Sequence, residues 1–136
     1  VIVVDTGPIV AAINDRDHAH AACAELFRRG QGPFFVPSPV LTEVCYLLES
    51  RRGPQVEAAF LESLGRRELE LVSLVPRDLA RMAQLVKTYA DLPLGAVDAS
   101  VIAVAERLGI SRVATLDRRH FTVVRPKHVP ALELLP

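Results

Sequence analysis

Four acidic residues sit where a folded chain can do chemistry. Asp5 follows four consecutive apolar residues, Val1-Ile2-Val3-Val4, and Asp117 closes a second strand-like stretch, Arg112-Val113-Ala114-Thr115-Leu116. Glu43 and Asp98 each fall in the opening turns of a helical pattern, one residue from an apolar stripe. Brought into one cleft, the four could not all stay charged unaided. Two carboxylates about 4 Å apart repel by roughly 4 kcal/mol at an effective dielectric near 20, so the cluster must take up protons or bind cations. An oxygen-only ligand set favours Mg²⁺ or Mn²⁺, whereas zinc would call for histidine or cysteine. Such a site suits phosphoryl chemistry, with one ion or two about 4 Å apart.

These acids converge only if the elements carrying them share a rim. Val1 to Val4 reads as a strand buried on both faces, with Gly7 and Pro8 marking the turn into a helix. Taken alone, Asp5 reads first as a cap for that helix, since Asp before a helix is commonplace. Ile9, Val10 and Ile13 give its stripe, and Asn14 to Asp17 form a polar break. A second helix runs through Ala19, Ala22, Cys23, Leu26 and Phe27 to Gly30, with Asp15 or Asp17 as its cap. Phe34 to Pro37 predicts a second strand, and Ser38 a cap for the helix of Val40, Val44, Leu47 and Leu48. After Gly53-Pro54, Val56 to Leu64 predicts another helix, then Leu69 to Leu74 a third strand. Pro76 and Asp78 open a further helix, and a long one follows from about Leu94 to Leu108, ended by Gly109. Arg112 to Asp117 predicts a fourth strand and Thr122 to Val124 a fifth. Strands alternating with helices imply an α/β fold around a mostly parallel sheet. If right-handed connections start the helices at the strand-end rim, all four acids meet there.

At 136 residues the chain suits a single domain spanning 1–136. Cys23 and Cys45 lie in apolar patterns outside any C-x-x-C pair, which suits a reducing compartment. No apolar run approaches the length of a membrane span, so the expectation is a cytoplasmic protein without membrane association. Sixteen basic residues balance sixteen acidic ones, so any polyanion must be held locally.

Asp5-Thr6-Gly7 after the first strand, Thr42-Glu43-Val44, Pro93-Leu94-Gly95-Ala96-Val97-Asp98-Ala99-Ser100 and Thr115-Leu116-Asp117-Arg118-Arg119-His120-Phe121 occur in that order. Together they resemble the signature blocks of PIN-domain ribonucleases and, more narrowly, the VapC toxins of type II toxin–antitoxin pairs. The resemblance implies a PIN-like three-layer fold, a five-stranded sheet between helices, usually dimeric. It implies Asp5, Glu43, Asp98 and Asp117 as metal-binding catalytic residues, Mg²⁺ or Mn²⁺ as cofactor and RNA as the substrate cut endonucleolytically. Water attack in line on phosphorus would leave a 5′-phosphate and a 3′-hydroxyl. It further implies a VapB-type antitoxin that blocks the cleft, with the faces around Val44, Leu48 and Phe60 as contacts.

Thr6 and Thr115 could orient carboxylates from behind the site. Asp91 is the remaining acid with a suitable place, although it also suits a turn before Leu92-Pro93. Arg118, Arg119 and His120 could clamp phosphates or form a solvated loop. Arg51-Arg52 and Arg66-Arg67 follow helices, where cations favour the dipole. His18 and His20 lie too close in sequence to face one another on a helix and read as surface or capping residues. Two alternatives remain. A HAD-like phosphohydrolase also carries Asp after its first strand, but its D-x-D motif would place an acid where Gly7 stands. A catalytically inactive PIN-fold binding module would keep the fold without turnover.

Overall fold

The computed structural model describes residues 1–30 and 32–136. Five strands form one parallel sheet, β1 (Ile2–Val4), β2 (Phe34–Pro37), β3 (Glu70–Val72), β4 (Arg112–Ala114) and β5 (Glu133–Leu135), in the order β3-β2-β1-β4-β5. The helices are α1 (Thr6–Ile13), α2 (His20–Arg29), α3 (Ser38–Arg52), α4 (Pro54–Gly65), α5 (Pro76–Thr88), α6 (Ala96–Leu108) and α7 (Arg118–Val123). The chain leaves β1 toward β2 and β3, then returns past β1 to β4 and β5. Right-handed crossovers running in those opposite directions place helices on both faces of the sheet.

Apolar pattern explains the middle. Ile2, Val3 and Val4 are wholly buried, as two-sided packing requires of a central parallel strand. In α6 every residue from Ala99 to Ala105 is buried, so this helix is a core element rather than an amphipathic one. Its residues there are small or β-branched, which lets α3 and the sheet approach closely. Gly109 ends it in the left-handed conformation at φ 67°. Two half-buried ion pairs tie α5 to α6: Arg81 grips Glu106 through two hydrogen bonds of 2.7 and 3.0 Å, and Arg107 reaches Asp78 at 2.9 Å.

Several boundaries differ from expectation. Thr122 to Val124 forms no strand, because Asp117 caps α7 there by accepting the His120 N–H at 3.1 Å. The β-branched run suggested extension, but the cap and the burial of Phe121 fix a helical turn. The fifth strand is Glu133–Leu135, paired with β4 from Arg112 to Ala114. Strand β4 itself ends at Ala114, so Asp117 stands in the loop beyond it. Ser38 lies inside α3, whose cap position is Pro37. Neither Asp15 nor Asp17 caps α2 directly; Asp17 holds the Ala19 N–H at 2.8 Å one residue before the helix. Cys23 and Cys45 are free thiols. Among the described residues no helix is long and apolar enough to cross a membrane.

Candidate active site

Strand order fixes the site. In open α/β sheets a crevice forms outside the strand ends where successive connections turn in opposite directions. Here that point lies between β1 and β4. Val4 pairs with Ala114, so the next residues out, Asp5 and Thr115, stand side by side. The Asp5 N–H bonds to the Ala114 carbonyl at 2.9 Å, and the Thr115 hydroxyl donates to Asp5 Oδ2 at 2.9 Å. The same hydroxyl accepts the Asp117 N–H at 3.0 Å. One threonine therefore links the acids that follow two neighbouring strands.

Gly7 has a separate role. A Cβ built there would stand 3.2 Å from Leu116 Cβ, so a side chain would push the start of α1 and the loop before Asp117 apart by a few tenths of an ångström. Glu43, in the second turn of α3, and Asp98, in the first turn of α6, join Asp5 and Asp117 around a cleft of about 690 Å³. Arg51, Arg118 and Arg119 line the same cleft. All four acids expected from sequence thus share it.

Burial gives the acids unequal properties. Asp5 is 6 % exposed, and its pKa rises from 3.8 to about 6. Burial is the main cause, with Asp98 and Glu43 adding repulsion, while bonds from the Thr6 backbone and Thr115 oppose it. Asp98 is also raised, chiefly by burial, although His120 partly offsets this through its hydrogen bond and charge. Thr6 is buried beside them, and its hydroxyl has no hydrogen-bond partner among the described residues. It does not orient a carboxylate as expected. Two raised carboxylates and an orphaned hydroxyl in one polar cleft fit a hydrated divalent cation, which would neutralise the first and bond the second.

Three residues change the expected list. Asp91 is exposed in the turn after α5 and does not line the cleft. Asp17 lines it instead; its position in a polar break made a capping reading natural. His120, expected only as a phosphate clamp or a loop residue, is the larger change. Its Nδ1 lies 2.7 Å from Asp98 Oδ2 and 3.0 Å from Asp117 Oδ2, with its side chain 18 % exposed. The spacing Asp117 to His120 would reveal the residue once a helix is recognised after Asp117. His18 and His20 stay outside the cleft, and His20 Nδ1 pairs with the Ala11 carbonyl at 2.8 Å.

The surface also corrects the expected partner contacts. Val44 and Leu48 are wholly buried in the core and offer nothing to a partner. Phe60 forms part of the floor of a different feature, an apolar groove of about 640 Å³ between α1, α2 and α4. Its walls include Ile9, Ile13, Phe27, Val56 and Ala59.

Comparison with known proteins agrees with this architecture. The chain is 30% identical over 125 residues to Ribonuclease VapC26 of Mycobacterium tuberculosis, covering 92% of this chain and 93% of that protein. Its fold is similar to that of Mycobacterium tuberculosis VapC20, described as a sarcin-ricin loop cleaving toxin. The TM-score is 0.78 at 21% identity, over 83% of this chain and 87% of the other. DNA-bound VapBC from Salmonella typhimurium gives a TM-score of 0.69 at 21% identity, over 98% and 95% of the two chains. Residues 2–125 match the PIN domain, and the chain belongs to the PIN domain family.

Proposed function

We propose that this chain is a divalent-cation-dependent endoribonuclease, the toxin of a toxin–antitoxin pair, with Asp5, Glu43, Asp98 and Asp117 as its metal-binding and catalytic residues. The observation that carries this reading is the meeting of four carboxylates at the ends of β1 and β4, where the sheet's connections turn in opposite directions. Membership of the family and the ribonuclease named among its relatives support it. When bound, Mg²⁺ or Mn²⁺ supplies Lewis acidity, lowering the pKa of the attacking water and offsetting charge on the phosphate. Asp5, Glu43, Asp98 and Asp117, which line one cleft, would hold the cation. Thr115 fixes Asp5 and the Asp117 backbone in register. Arg118 and Arg119 bind the RNA backbone at the rim. The bond to the 3′-oxygen breaks, leaving a 5′-phosphate and a 3′-hydroxyl.

Purified wild type and Asp98→Asn, incubated with RNA in Mn²⁺, Mg²⁺ or chelator, test this reading through the chemistry of the new ends. The expected result is 5′-phosphate ends that need a divalent cation and fall by at least about 100-fold in the variant. Cyclic phosphate products formed in chelator would overturn it.

The partner in this reading is a VapB-type antitoxin. Solved relatives of the fold include VapBC complexes and a toxin–antitoxin complex from Klebsiella pneumoniae. The groove between α1, α2 and α4 is the place we assign to the apolar face of an antitoxin segment, because it is the deep apolar recess beside the cleft-bearing α1.

A further inference from the structure

The cleft holds a nitrogen donor that the four acids alone do not supply. Asp117 caps α7 by accepting the His120 N–H, which closes the first turn and brings residue 120 back over the acid. Phe121, 2 % exposed, anchors the next position in the core. The His120 ring is thereby held against Asp98 as well as Asp117. Nδ1 and one oxygen from each carboxylate lie within 4.8 Å of one another, with Nδ1 at 2.7 and 3.0 Å from the two oxygens.

Those separations are close to the edge of a coordination polyhedron. Ligands about 2.1 Å from an ion and at right angles stand roughly 3 Å apart. The ring presents its Nδ1 lone pair in the tautomer that carries its proton on Nε2. Independently, Thr6 lines the same cleft, is 4 % exposed, and its hydroxyl has no partner among the described residues. A buried hydroxyl on a cleft-lining residue, without a protein partner, points to a ligand or its water.

We infer that His120 is a ligand, through Nδ1, of the cation held by Asp98 and Asp117, and that it biases the site toward a transition-metal ion such as Mn²⁺ over Mg²⁺. The inference rests on the proposed reading of the cleft as a divalent-cation site. Mg²⁺ is a hard ion that prefers oxygen and its own water, whereas first-row transition ions accept imidazole readily. An oxygen-only cluster gives no comparable reason to discriminate. The nitrogen does.

Pulsed electron paramagnetic resonance of Mn²⁺ bound to the wild-type chain reads the ligand directly. The expected spectrum carries a coupling to a directly bound ¹⁴N nucleus, which His120→Ala and His120→Gln both lose. Calorimetric titration of the same proteins should show Mn²⁺ affinity falling about tenfold or more, with Mg²⁺ affinity within about twofold of wild type. Circular dichroism confirms that each variant is folded, and the wild-type spectrum decides the point if neither is. Mn²⁺ bound without nitrogen coupling, or equal losses of Mn²⁺ and Mg²⁺ affinity, would show that His120 only positions the carboxylates and would overturn the inference. Asp98→Asn separates the two levels. If it abolishes Mn²⁺ binding while the wild-type spectrum lacks nitrogen, the cation site stands and the ligand assignment fails; if wild type binds neither ion, both fail.

Discussion

The Thr115 hydroxyl donates to Asp5 and accepts from the Asp117 backbone, so replacing it with valine removes both links while keeping the side chain's shape. Two bonds vanish without a cavity. Loss of a partner that orients a metal ligand typically lowers affinity or activity by about 10–100-fold. Thr115→Val is therefore expected to lower RNA cleavage by that factor and to cost about 1–3 kcal/mol of stability. Cleavage kinetics and a urea melt check both, and unchanged cleavage would remove Thr115 from the site's support. Asp5 makes a prediction of opposite character. Its pKa is raised to about 6 in the folded chain, so between about pH 4 and 6 the native state binds more protons than the unfolded state. Stability must then fall as pH rises through that window, by on the order of 3 kcal/mol from this group. In chelator, wild type is expected to lose more stability between pH 4.5 and 7 than Asp5→Asn does. Added Mn²⁺ should restore the wild type at pH 7. Parallel profiles for the two proteins would show that Asp5 is not the group responsible.

At the scale of elements, apolar runs and breakers located most of the fold. Val1 to Val4, Phe34 to Pro37 and the stripe of α3 announce themselves through hydrophobicity and Pro-Gly punctuation. Side-chain capping is harder to read. Thr122-Val123-Val124 has the composition of a strand, yet one hydrogen bond from His120 to Asp117 commits it to α7, and Glu133-Leu134-Leu135, a run too short to read as a strand, completes the sheet. The same boundary decides the role of His120: in a solvated loop it has no defined neighbours, whereas in the first turn of α7 it lies against Asp98 and Asp117. Asp91 and Asp17 exchanged places for a similar reason: both sit in connections between helices, and only tertiary packing decides which connection reaches the cleft. Tertiary packing also separates Val44 and Leu48, which spend their stripe on the core, from α4, whose Val56 and Ala59 remain on a groove. Ala59 is exposed on that wall, so Ala59→Glu should leave stability within about 0.5 kcal/mol. A buried unpaired carboxylate at an apolar interface is costly. The variant is thus expected to lose co-purification with the antitoxin while retaining RNA cleavage. Undiminished co-purification would place the partner elsewhere.

The molecule as a whole carries no net positive charge to draw in RNA, and its cleft is acidic. Affinity must come from local cations that are free to act. Several arginines are occupied: Arg52 binds Asp15, Arg66 binds Glu68, Arg81 binds Glu106 and Arg107 binds Asp78. Arg51, Arg118 and Arg119 have no ion pair among the described residues, and all three line the cleft. Arg118 does donate to the Pro136 carbonyl at 2.7 Å, an exposed hydrogen bond whose removal costs little. Each phosphate neutralised on single-stranded RNA contributes about 0.7 to the slope of log affinity against log salt. In an Asp98→Asn background, which prevents cleavage during the measurement, Arg118→Ala with Arg119→Ala should weaken RNA binding. The salt slope should fall by about 1.4, because two phosphates are then left without a cationic partner. Fluorescence anisotropy over a range of salt concentrations measures both quantities. A weaker complex with an unchanged slope would mean that the arginines act through the loop's shape, whereas a reduced slope identifies them as the charges that carry the phosphate chain past the acids.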